Sequence, residues 1–446
     1  MKLFGLADCN NFFVSCERAF RPDLQGRPVL VLSNNDGCVV SRSNEVKALG
    51  IKMGVPFYQI KDLVDKHNIA VFSSNYELYG DMSSRVMSML SSFTPKLEQY
   101  SIDEAFLDFS DMHFADTSLH DYCVNAIRSI NRGVHIPVSM GIAPTKTLAK
   151  MASKFAKQYP AYKGVCIIDN DEKREKALKL FPVADVFGIG RKANAKLQYY
   201  GVETAWDFTL LKENFVRNLL TIQGVRTWRE LKGENALQID ELPEKKSICV
   251  SRSFSEQGIN EREKLEEAVS NFASDCARKL REQHSCCTQM LVFAATSRFR
   301  TELPSDYISR TVTFQVPTAS TTELIQNALQ VIRAEWKNSS YYYKKAGVIV
   351  TGISSDSAIQ TSLFDNIDRG KQNRLQRAID SINNRSGFGA VRSASQGEQR
   401  RYKLKSEHLS QRFSTNLNET IIVKPIPVDR GIYDPQIVSL RKEKSI

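Results

Sequence analysis

The sequence lacks the features of several classes of protein. No apolar run approaches the length needed to cross a bilayer, and Asp8 interrupts the first apolar residues too early for a signal peptide. The nine cysteines form no C-x-x-C pair. Cys286 and Cys287, beside His284, offer too few ligands for a tetrahedral zinc site, so we interpret them as buried small hydrophobic residues. We therefore expect a cytoplasmic protein with reduced thiols and no membrane partner.

Positive charge is in excess along the chain. Its 446 residues contain 61 Lys and Arg against 50 Asp and Glu, a net charge of +11. Such a surplus favours a polyanionic partner such as nucleic acid. Ribosomal and membrane-surface proteins have a similar balance, so the charge indicates a class of partner and no activity.

The first 180 residues have the pattern of a mixed α/β fold. Short apolar runs predict strands and amphipathic stretches predict helices. The predicted strands are 3–7, 29–32, 97–109 and 137–143, and the predicted helices cover 79–93 and a stretch starting near Lys146. Residues 180–240 contain short helical segments separated by glycines, which indicates a small helical domain.

The polar stretch 241–246 reads as a linker to a further domain. After it the pattern predicts the order βαββαβ, a two-layer unit. Its elements are strand 248–254, helix 265–283, strands 290–296 and 311–316, helix 322–338 and strand 346–353. Beyond residue 354 the periodicity fades, and residues 366–446 contain sixteen Lys and Arg against eight Asp and Glu, so we expect a basic, partly flexible tail.

Three carboxylates interrupt apolar β-sequence. Asp8 ends the first predicted strand, and Asp103 and Glu104 lie within another. Like-charged, partly desolvated carboxylates take up protons or are neutralised by a cation, and oxygen ligands suit Mg²⁺. If the strands are neighbours, the three side chains can bind two ions for phosphoryl transfer. The alternative is that the Asp-Glu pair forms a solvated turn at a strand bend.

Three other patterns each allow two interpretations. Lys146, Lys150, Lys154 and Lys157 share one helix face, which either meets phosphates or is simply solvated. The turn at Gly188 and Gly190 opens a helix at Arg191 and either binds a DNA phosphate or only connects helices. Finally, Phe12 and Phe13 follow Asp8 closely. One of these rings can exclude a substrate with the wrong sugar, and at least one of them must belong to the hydrophobic core.

Five motifs together resemble the Y-family translesion DNA polymerases, in particular the UmuC-like catalytic subunits of bacterial DNA polymerase V. The similarity extends from residue 1 to about 365. The motifs are Ala7-Asp8-Cys9-Asn10, Leu32-Ser33-Asn34-Asn35-Asp36-Gly37-Cys38, Ser73-Ser74-Asn75-Tyr76-Glu77-Leu78-Tyr79, Tyr100-Ser101-Ile102-Asp103-Glu104-Ala105 and Lys146-Thr147-Leu148-Ala149-Lys150.

The resemblance implies an α+β multidomain fold in the right-hand arrangement. A ferredoxin-like palm with small fingers occupies residues 1–180, with the fingers at about 20–75. A helical thumb follows at 181–240 and contains the Gly-Ile-Gly turn. The βαββαβ little finger occupies 241–355, and a basic tail with a clamp-binding peptide occupies 356–446.

The resemblance also assigns the site residues. It makes Asp8, Asp103 and Glu104 catalytic ligands of two Mg²⁺ ions, with the backbone carbonyl of Cys9 also on a metal. Phe13 matches the steric gate, where many members have Tyr. The remaining assignments are Arg42, Lys47 and Lys157 for the incoming nucleotide, and Lys146, Lys150, Gly188, Gly190 and Arg191 for DNA. Asn44 occupies a nucleotide-contacting position that is often Tyr in distant members.

The partners implied by the resemblance are primer-template DNA, dNTPs and the sliding clamp, which would bind a peptide containing Gln360, Leu363 and Phe364. The tail would serve a UmuD-type accessory dimer and the RecA filament, and the protein would work on the nucleoid. The function implied is error-prone, template-dependent nucleotidyl transfer past damaged bases in the SOS-type response. The alternatives are a non-catalytic DNA- and clamp-binding scaffold, or a metal-dependent nuclease or nucleotide cyclase on a similar palm.

Overall fold

The computed structural model describes residues 2–114, 117–237, 245–254, 257–357, 359–360, 362, 365, 367–387, 389–398 and 405–421. The chain divides into two compact units. The first comprises Met1–Leu32, Val39–Ile239 and His408–Ile446, and the second comprises Ser33–Cys38 and Asp240–Glu407. The predicted mixed α/β multidomain class is confirmed. The predicted linker lies mostly outside the described residues.

A five-stranded sheet forms the centre of the first unit, in the order β5-β6-β1-β7-β8. Its strands are β1 (Phe4–Cys9), β5 (Lys96–Gln99), β6 (Glu104–Asp108), β7 (Val138–Ala143) and β8 (Val165–Ile167). β1 pairs antiparallel with both β6 and β7. Because β1 is covered on both faces, nearly all its side chains are buried and apolar, and Asp8 at its end is the exception.

Helices and a second, smaller sheet complete the first unit. The smaller sheet consists of β2 (Val29–Leu32), β3 (Val39–Arg42) and β4 (Ala70–Ser73) in the order β3-β2-β4. The helices of the first 180 residues are α1 (Phe12–Phe20), α2 (Asn44–Ala48), α3 (Lys61–Lys66), α4 (Tyr76–Ser91), α5 (Leu119–Val134), α6 (Lys146–Gln158) and α7 (Asp171–Leu180). The predicted helical segment contains α8 (Arg191–Tyr199), α9 (Ala205–Leu210) and α10 (Glu213–Leu231).

α6 lies unusually close to β7. A Cβ atom on Gly141 of β7 would overlap the backbone of Ser153 and Ala149 in α6, so only glycine permits this approach. The carboxylate of Glu230 from α10 accepts a hydrogen bond from the backbone N–H of Thr147 at 3.0 Å, in the first turn of α6. A negative charge at that end is also favoured by the helix dipole. These contacts fix α6, which carries the lysine face, against the central sheet.

The second unit has the predicted βαββαβ order. Its sheet is antiparallel in the order β11-β10-β12-β9, and its two long helices pack together. The elements are β9 (Ser247–Ser253), α11 (Arg262–Glu282), β10 (Ser285–Thr296), β11 (Tyr307–Thr318), α12 (Thr321–Glu335) and β12 (Tyr343–Ser355). Cys286 and Cys287 are buried in this unit as free thiols, as their interpretation as small hydrophobic residues predicts.

Two expectations about secondary structure were wrong. The predicted strand 97–109 is a hairpin of β5 and β6, because the N–H groups of Tyr100 and Ser101 both donate to the carbonyl of Glu104 and reverse the chain. In the tail, where the fading periodicity predicted no regular element, the structure has a helix. This helix is α13 (Arg369–Ser386), and a later segment packs on the first unit with Phe413 buried. Among the described residues, no helix is long and apolar enough to cross a bilayer.

Candidate active site

Strand pairing brings the two carboxylate motifs together. Asp8 on β1 lies opposite Glu104 on β6 in the antiparallel register, and the N–H of Cys9 donates to the carbonyl of Asp103 at 2.9 Å. The side chains of Asp8 and Glu104 are only 19% and 15% exposed. The sheet therefore holds all three carboxylate residues at one end of the β1–β6 pair.

Asp103 lies in the turn of the hairpin, and Ser101 organises that turn. The Ser101 hydroxyl accepts hydrogen bonds from the N–H groups of Asp103 and Glu104 and donates to Oδ1 of Asp103 at 2.6 Å. The Asp-Glu pair thus does sit at a turn, as one interpretation of the sequence held. It is not a solvated turn, because Glu104 is largely buried.

Two lysines of α6 form ion pairs with these carboxylates. Nζ of Lys157 lies 2.5 Å from Oδ1 of Asp8, and Nζ of Lys150 lies 3.0 Å from Oε2 of Glu104. The interpretation of the α6 lysine face as simply solvated is therefore wrong. Lys150 and Lys157 are directed at the acidic end of the sheet, where they offset the mutual repulsion of the carboxylates.

The other two lysines of this face have different partners. Lys146 is 6% exposed, and its ammonium lies 2.6 Å from Oε2 of Glu98 and over the ring of Phe106. Lys154 is half-exposed and pairs with Asp185 at 2.6 Å. Lys146 is thus enclosed by protein, and its assignment to DNA stays a prediction.

Burial dominates the electrostatics of Asp8. Desolvation raises the pKa of its carboxyl to about 6, although the ammonium of Lys157 lowers it, and the charges of Glu104 and Asp103 raise it further. Burial also raises the pKa of the Cys9 thiol, so this side chain is a neutral core group. The site therefore contains a carboxylate that a nearby cation would stabilise in its ionised form.

Of the three residues assigned to the triphosphate, Lys157 pairs with this carboxylate and Lys47 interacts with it electrostatically. Arg42 lies near Lys47 and donates to the carbonyl of Ile51. The pKa of Lys47 is lowered by burial and by the positive charges of Arg42 and Lys157, and is raised by Asp8. Nζ of Lys47 donates to Oδ1 of Asn11 at 2.6 Å and to Oδ1 of Asn44 at 3.3 Å. Asn44 thus takes part in the site by orienting a cation.

The donor set suits a hard divalent cation. It consists of carboxylate oxygens, the ligand type that Mg²⁺ prefers, and the carboxylate of Asp8 is largely desolvated. Among the described residues, no group of three or more His, Cys, Asp or Glu side chains is gathered tightly enough to form a ready-made metal cluster. Lys157 and Lys150 pair with the acids instead.

Phe13 lies in the first turn of α1, four residues after the end of β1. Its ring stacks on Tyr79 at a centroid distance of 4.5 Å and meets Tyr76 edge-on at 6.1 Å. Phe12 is buried, whereas Phe13 is half-buried. The expectation that at least one of the pair is core is therefore met by Phe12, and the face of Phe13 has a firm aromatic support.

A cavity of about 210 Å³ lies along α6, within the first unit. Asp8, Lys150 and Lys157 line it, together with Phe187 just before the Gly-Ile-Gly turn. Gly188 has φ 91°, and Gly190 caps the N-terminus of α8, which starts at Arg191 as predicted. Gly188, Gly190 and Arg191 are exposed.

Several participants had not been recognised from the sequence. Ser101 lies inside a quoted motif, and its placement three residues before Glu104 was a usable turn signal. Tyr79 supports Phe13 and contacts Glu17, and this contact left no such signal because it links separate helices. In the clamp peptide, Leu363 and Phe364 lie outside the described residues, and Gln360 stays a prediction.

Comparisons with known proteins match this arrangement. The profile of the impB/mucB/samB family covers residues 7–154, and that of the family's C-terminal domain covers residues 245–363. The chain belongs to the impB/mucB/samB family. Residues 373–423 of this impB/mucB/samB protein also match a domain of unknown function.

Curated relatives extend over more than nine-tenths of the impB/mucB/samB chain. Protein UmuC of Salmonella typhimurium is 38% identical over 95% of this chain and 100% of its own length. Protein ImpB of the same organism is 38% identical over 93% of this chain and 97% of its own length. DNA polymerase IV 1 of Bacillus subtilis is 26% identical over 91% of this chain and 96% of its own length.

A solved Y-family DNA polymerase chimera of Dbh and Dpo4 has the same fold. The two structures align with a TM-score of 0.63 at 17% identity, over 79% of this chain and 99% of the chimera. The predicted family, fold class and enzyme class, a DNA-directed DNA polymerase, are confirmed. The roles of individual residues stay predictions.

Proposed function

We propose that this chain is an error-prone translesion polymerase of the SOS-type response, which uses two Mg²⁺ ions to extend primers past damaged template bases. The observation that carries the proposal is the meeting of Asp8, Asp103 and Glu104 at one end of the β1–β6 pair, with Lys150 and Lys157 against them. A nuclease or cyclase needs neither the helical segment nor the βαββαβ unit.

Asp8, Asp103 and Glu104, with the carbonyl of Cys9, would hold the ions. Bound Mg²⁺ would supply the charge that lowers the pKa of the primer 3′-hydroxyl and neutralises the leaving pyrophosphate. Oxygen ligands, the burial of Asp8 and its raised pKa support this assignment.

The chain's own cations would bind the triphosphate. The positive charges of Arg42 and Lys157 act on Lys47, and Lys47 and Lys157 both interact with Asp8, which concentrates positive charge beside this carboxylate. Once Asp8 binds a metal ion, Lys157 would leave the Asp8 carboxylate and pair with a phosphate oxygen. Charge-assisted hydrogen bonds of this kind hold phosphates firmly.

Phe13 would crowd the 2′-hydroxyl of an incoming ribonucleotide. The stacked ring of Tyr79 behind it leaves the phenyl group little room to retreat, which supports a steric role. The phenyl ring has the bulk of tyrosine without its hydroxyl, so exclusion would rest on shape alone.

The grip on DNA would be independent of sequence. The N–H groups at the start of α8, around Gly188 and Gly190, would bind a phosphate, and Arg191 and Lys150 would add charge. We assign the palm and fingers to residues 1–180, the thumb to 181–240, the little finger to 241–355 and the tail to 356–446. The helical character of 191–231 and the βαββαβ order of the second unit support these boundaries.

Partners beyond DNA and dNTPs follow from the family. Residues 360–364 would bind the sliding clamp, and the tail would serve a UmuD-type dimer and RecA on the nucleoid. Alanine at Leu363 and Phe364 would abolish capture of the protein by immobilised clamp and leave primer extension without clamp unchanged. If immobilised clamp captures the native chain and the alanine variant equally well, residues 360–364 are not the clamp-binding peptide.

Primer extension on an abasic-site template, with dNTPs and Mg²⁺, tests the polymerase proposal. The native chain is compared with Asp103→Ala and with Asp111→Asn, which alters an exposed acid outside the site. A UmuD-type partner and RecA are added if the chain alone extends no primer. Extension that vanishes in Asp103→Ala and with EDTA, and persists in Asp111→Asn, supports the proposal.

The opposite result has a definite meaning. A folded native chain that binds DNA and synthesises nothing with every partner present would be a scaffold. If Asp103→Ala still extends primers, the chain is a polymerase, but the Asp103 carboxylate is not a ligand of the catalytic metal ions.

A further inference from the structure

The segment 408–413, called here the C-terminal strap, packs on the first unit far from its neighbours in sequence. The N–H of Ser73 donates to the carbonyl of His408 at 2.9 Å, and the N–H of His408 donates to Oγ of Ser73 at 3.0 Å. The side-chain amide of Asn75 donates to the carbonyls of Ser410 and Gln411 at 3.2 and 3.3 Å. The strap therefore runs from the end of β4 to the start of α4, whose N-cap is Asn75.

An aromatic anchor ends the strap. Phe413 is 9% exposed and stacks on Phe20 of α1 with a centroid distance of 5.0 Å and an angle of 9°. It joins the apolar core between the central sheet and the helices α1 and α4. An aromatic side chain buried in this way makes the docking of the strap a stable part of the fold.

The strap reaches a buried acid beneath the proposed sugar gate. Oγ of Ser410 donates to Oε1 of Glu17 at 3.0 Å, and the hydroxyl of Tyr79 donates to the same oxygen at 2.6 Å. Glu17 is fully buried, and burial raises its pKa to about 7 against the lowering effect of these two hydrogen bonds. The ring of Tyr79 stacks on Phe13 at 4.5 Å. A continuous series of contacts thus joins the strap to Phe13.

We propose that the C-terminal strap is a positioning element for sugar selection, in which Ser410 acts through Glu17 and Tyr79 to hold the ring of Phe13 in place. This inference rests on the proposed function of the site. Without Ser410, one of the two donors to Oε1 is lost, and Tyr79 is held less firmly at its hydroxyl end. Phe13 then gains freedom to tilt, and a 2′-hydroxyl is admitted more readily.

The experiment measures kcat/KM for incorporation of dATP and of ATP opposite the same template base. The variants are Ser410→Ala, Tyr79→Phe, which keeps the stacked ring, and Ser410→Thr, which keeps the hydroxyl. Ser414→Ala is the matched control, because its buried hydroxyl has no hydrogen-bond partner among the described residues. Phe13→Ala defines complete loss of the gate.

Ser410→Ala and Tyr79→Phe are expected to lower the dATP to ATP preference by about fivefold, the effect of one hydrogen bond. Their kcat for dATP should stay near the native value, with rescue in Ser410→Thr and no change in Ser414→Ala. An unchanged preference in Ser410→Ala, in folded protein with native kcat for dATP, overturns the inference and leaves the polymerase proposal intact.

A second readout does not need catalysis. With 3-fluorotyrosine at position 79, the fluorine resonance should shift in Ser410→Ala and stay in place in Ser414→Ala. If the native chain incorporates neither nucleotide, the proposed function fails, and sugar selection by the strap fails with it. A fluorine signal unmoved by Ser410→Ala overturns the positioning of Tyr79 by the strap whether or not the chain is active.

Discussion

Lys157 on α6 and Asp8 at the end of β1 form an ion pair, with Nζ 2.5 Å from Oδ1. A cation assigned to the nucleotide is thus the counter-ion of a carboxylate assigned to the metal. The two residues are 149 positions apart in the chain. The pair shows how the site keeps its charges balanced before substrates arrive.

Lys157→Gln removes that cation and keeps a polar side chain. We expect the KM for dNTP to rise about tenfold or more, because a charge-assisted hydrogen bond to phosphate is lost. Affinity for primer-template DNA should be unchanged. Single-nucleotide incorporation and DNA-binding titrations measure the two, with Lys173→Gln as control, since this lysine pairs with Asp169 outside the site. If the KM for dNTP is the same in Lys157→Gln as in the native chain, Lys157 does not bind the incoming nucleotide.

Glu17→Gln tests the buried acid through the pH dependence of stability. The folded-state pKa of Glu17 is about 7, raised from 4.5 by burial. Between these values Glu17 ionises in the unfolded chain and stays protonated in the folded one, so the folded state loses stability as the pH rises. Relative to Glu17→Gln, the free energy of unfolding of the native chain should fall by about 3 kcal/mol between pH 4.5 and 7 and then level off. Urea unfolding at a series of pH values measures it, and parallel curves would contradict the prediction.

Gly141→Ala tests the close contact between β7 and α6. The added methyl group would overlap backbone atoms of Ser153 and Ala149, so we expect a loss of roughly 2 kcal/mol or more in stability. Primer extension should fall as well, because α6 carries Lys150 and Lys157. Gly80→Ala is the control, since a Cβ atom there meets nothing within 4 Å. Equal unfolding temperatures for the two variants would contradict the packing argument.

Arg191→Ala tests the proposed phosphate site at the start of α8. We expect weaker DNA binding for every sequence, and a salt dependence of the binding constant reduced by about one unit of slope. Fluorescence anisotropy across a range of NaCl concentrations measures both. Arg217→Ala is the control, because Arg217 pairs with Glu213 in the same helical segment. If the binding constants of Arg191→Ala and Arg217→Ala depend on salt with the same slope, Arg191 does not contact a DNA phosphate.

Much of the local structure could be predicted from the sequence. The strand Val29–Leu32 was predicted to the residue, and a helix was predicted to begin near Lys146, where α6 starts, because an apolar run and an amphipathic stretch are local signals. The turn between β5 and β6 was missed because Tyr100 and Ile102 continue the alternating, strand-like pattern through residues 100–103. The helix Arg369–Ser386 was missed because only Gln376 in it is buried, so it has little apolar periodicity.

The amino-acid sequence by itself determined the chemistry of this protein: acids at strand ends, a lysine face on one helix and motifs shared with a polymerase family. These are properties of composition and short-range spacing. Only the tertiary structure decided which lysine meets which acid, and that Ser410 reaches Glu17 across 393 residues. Such partnerships depend on strand register and on close packing such as that at Gly141, which no local pattern encodes.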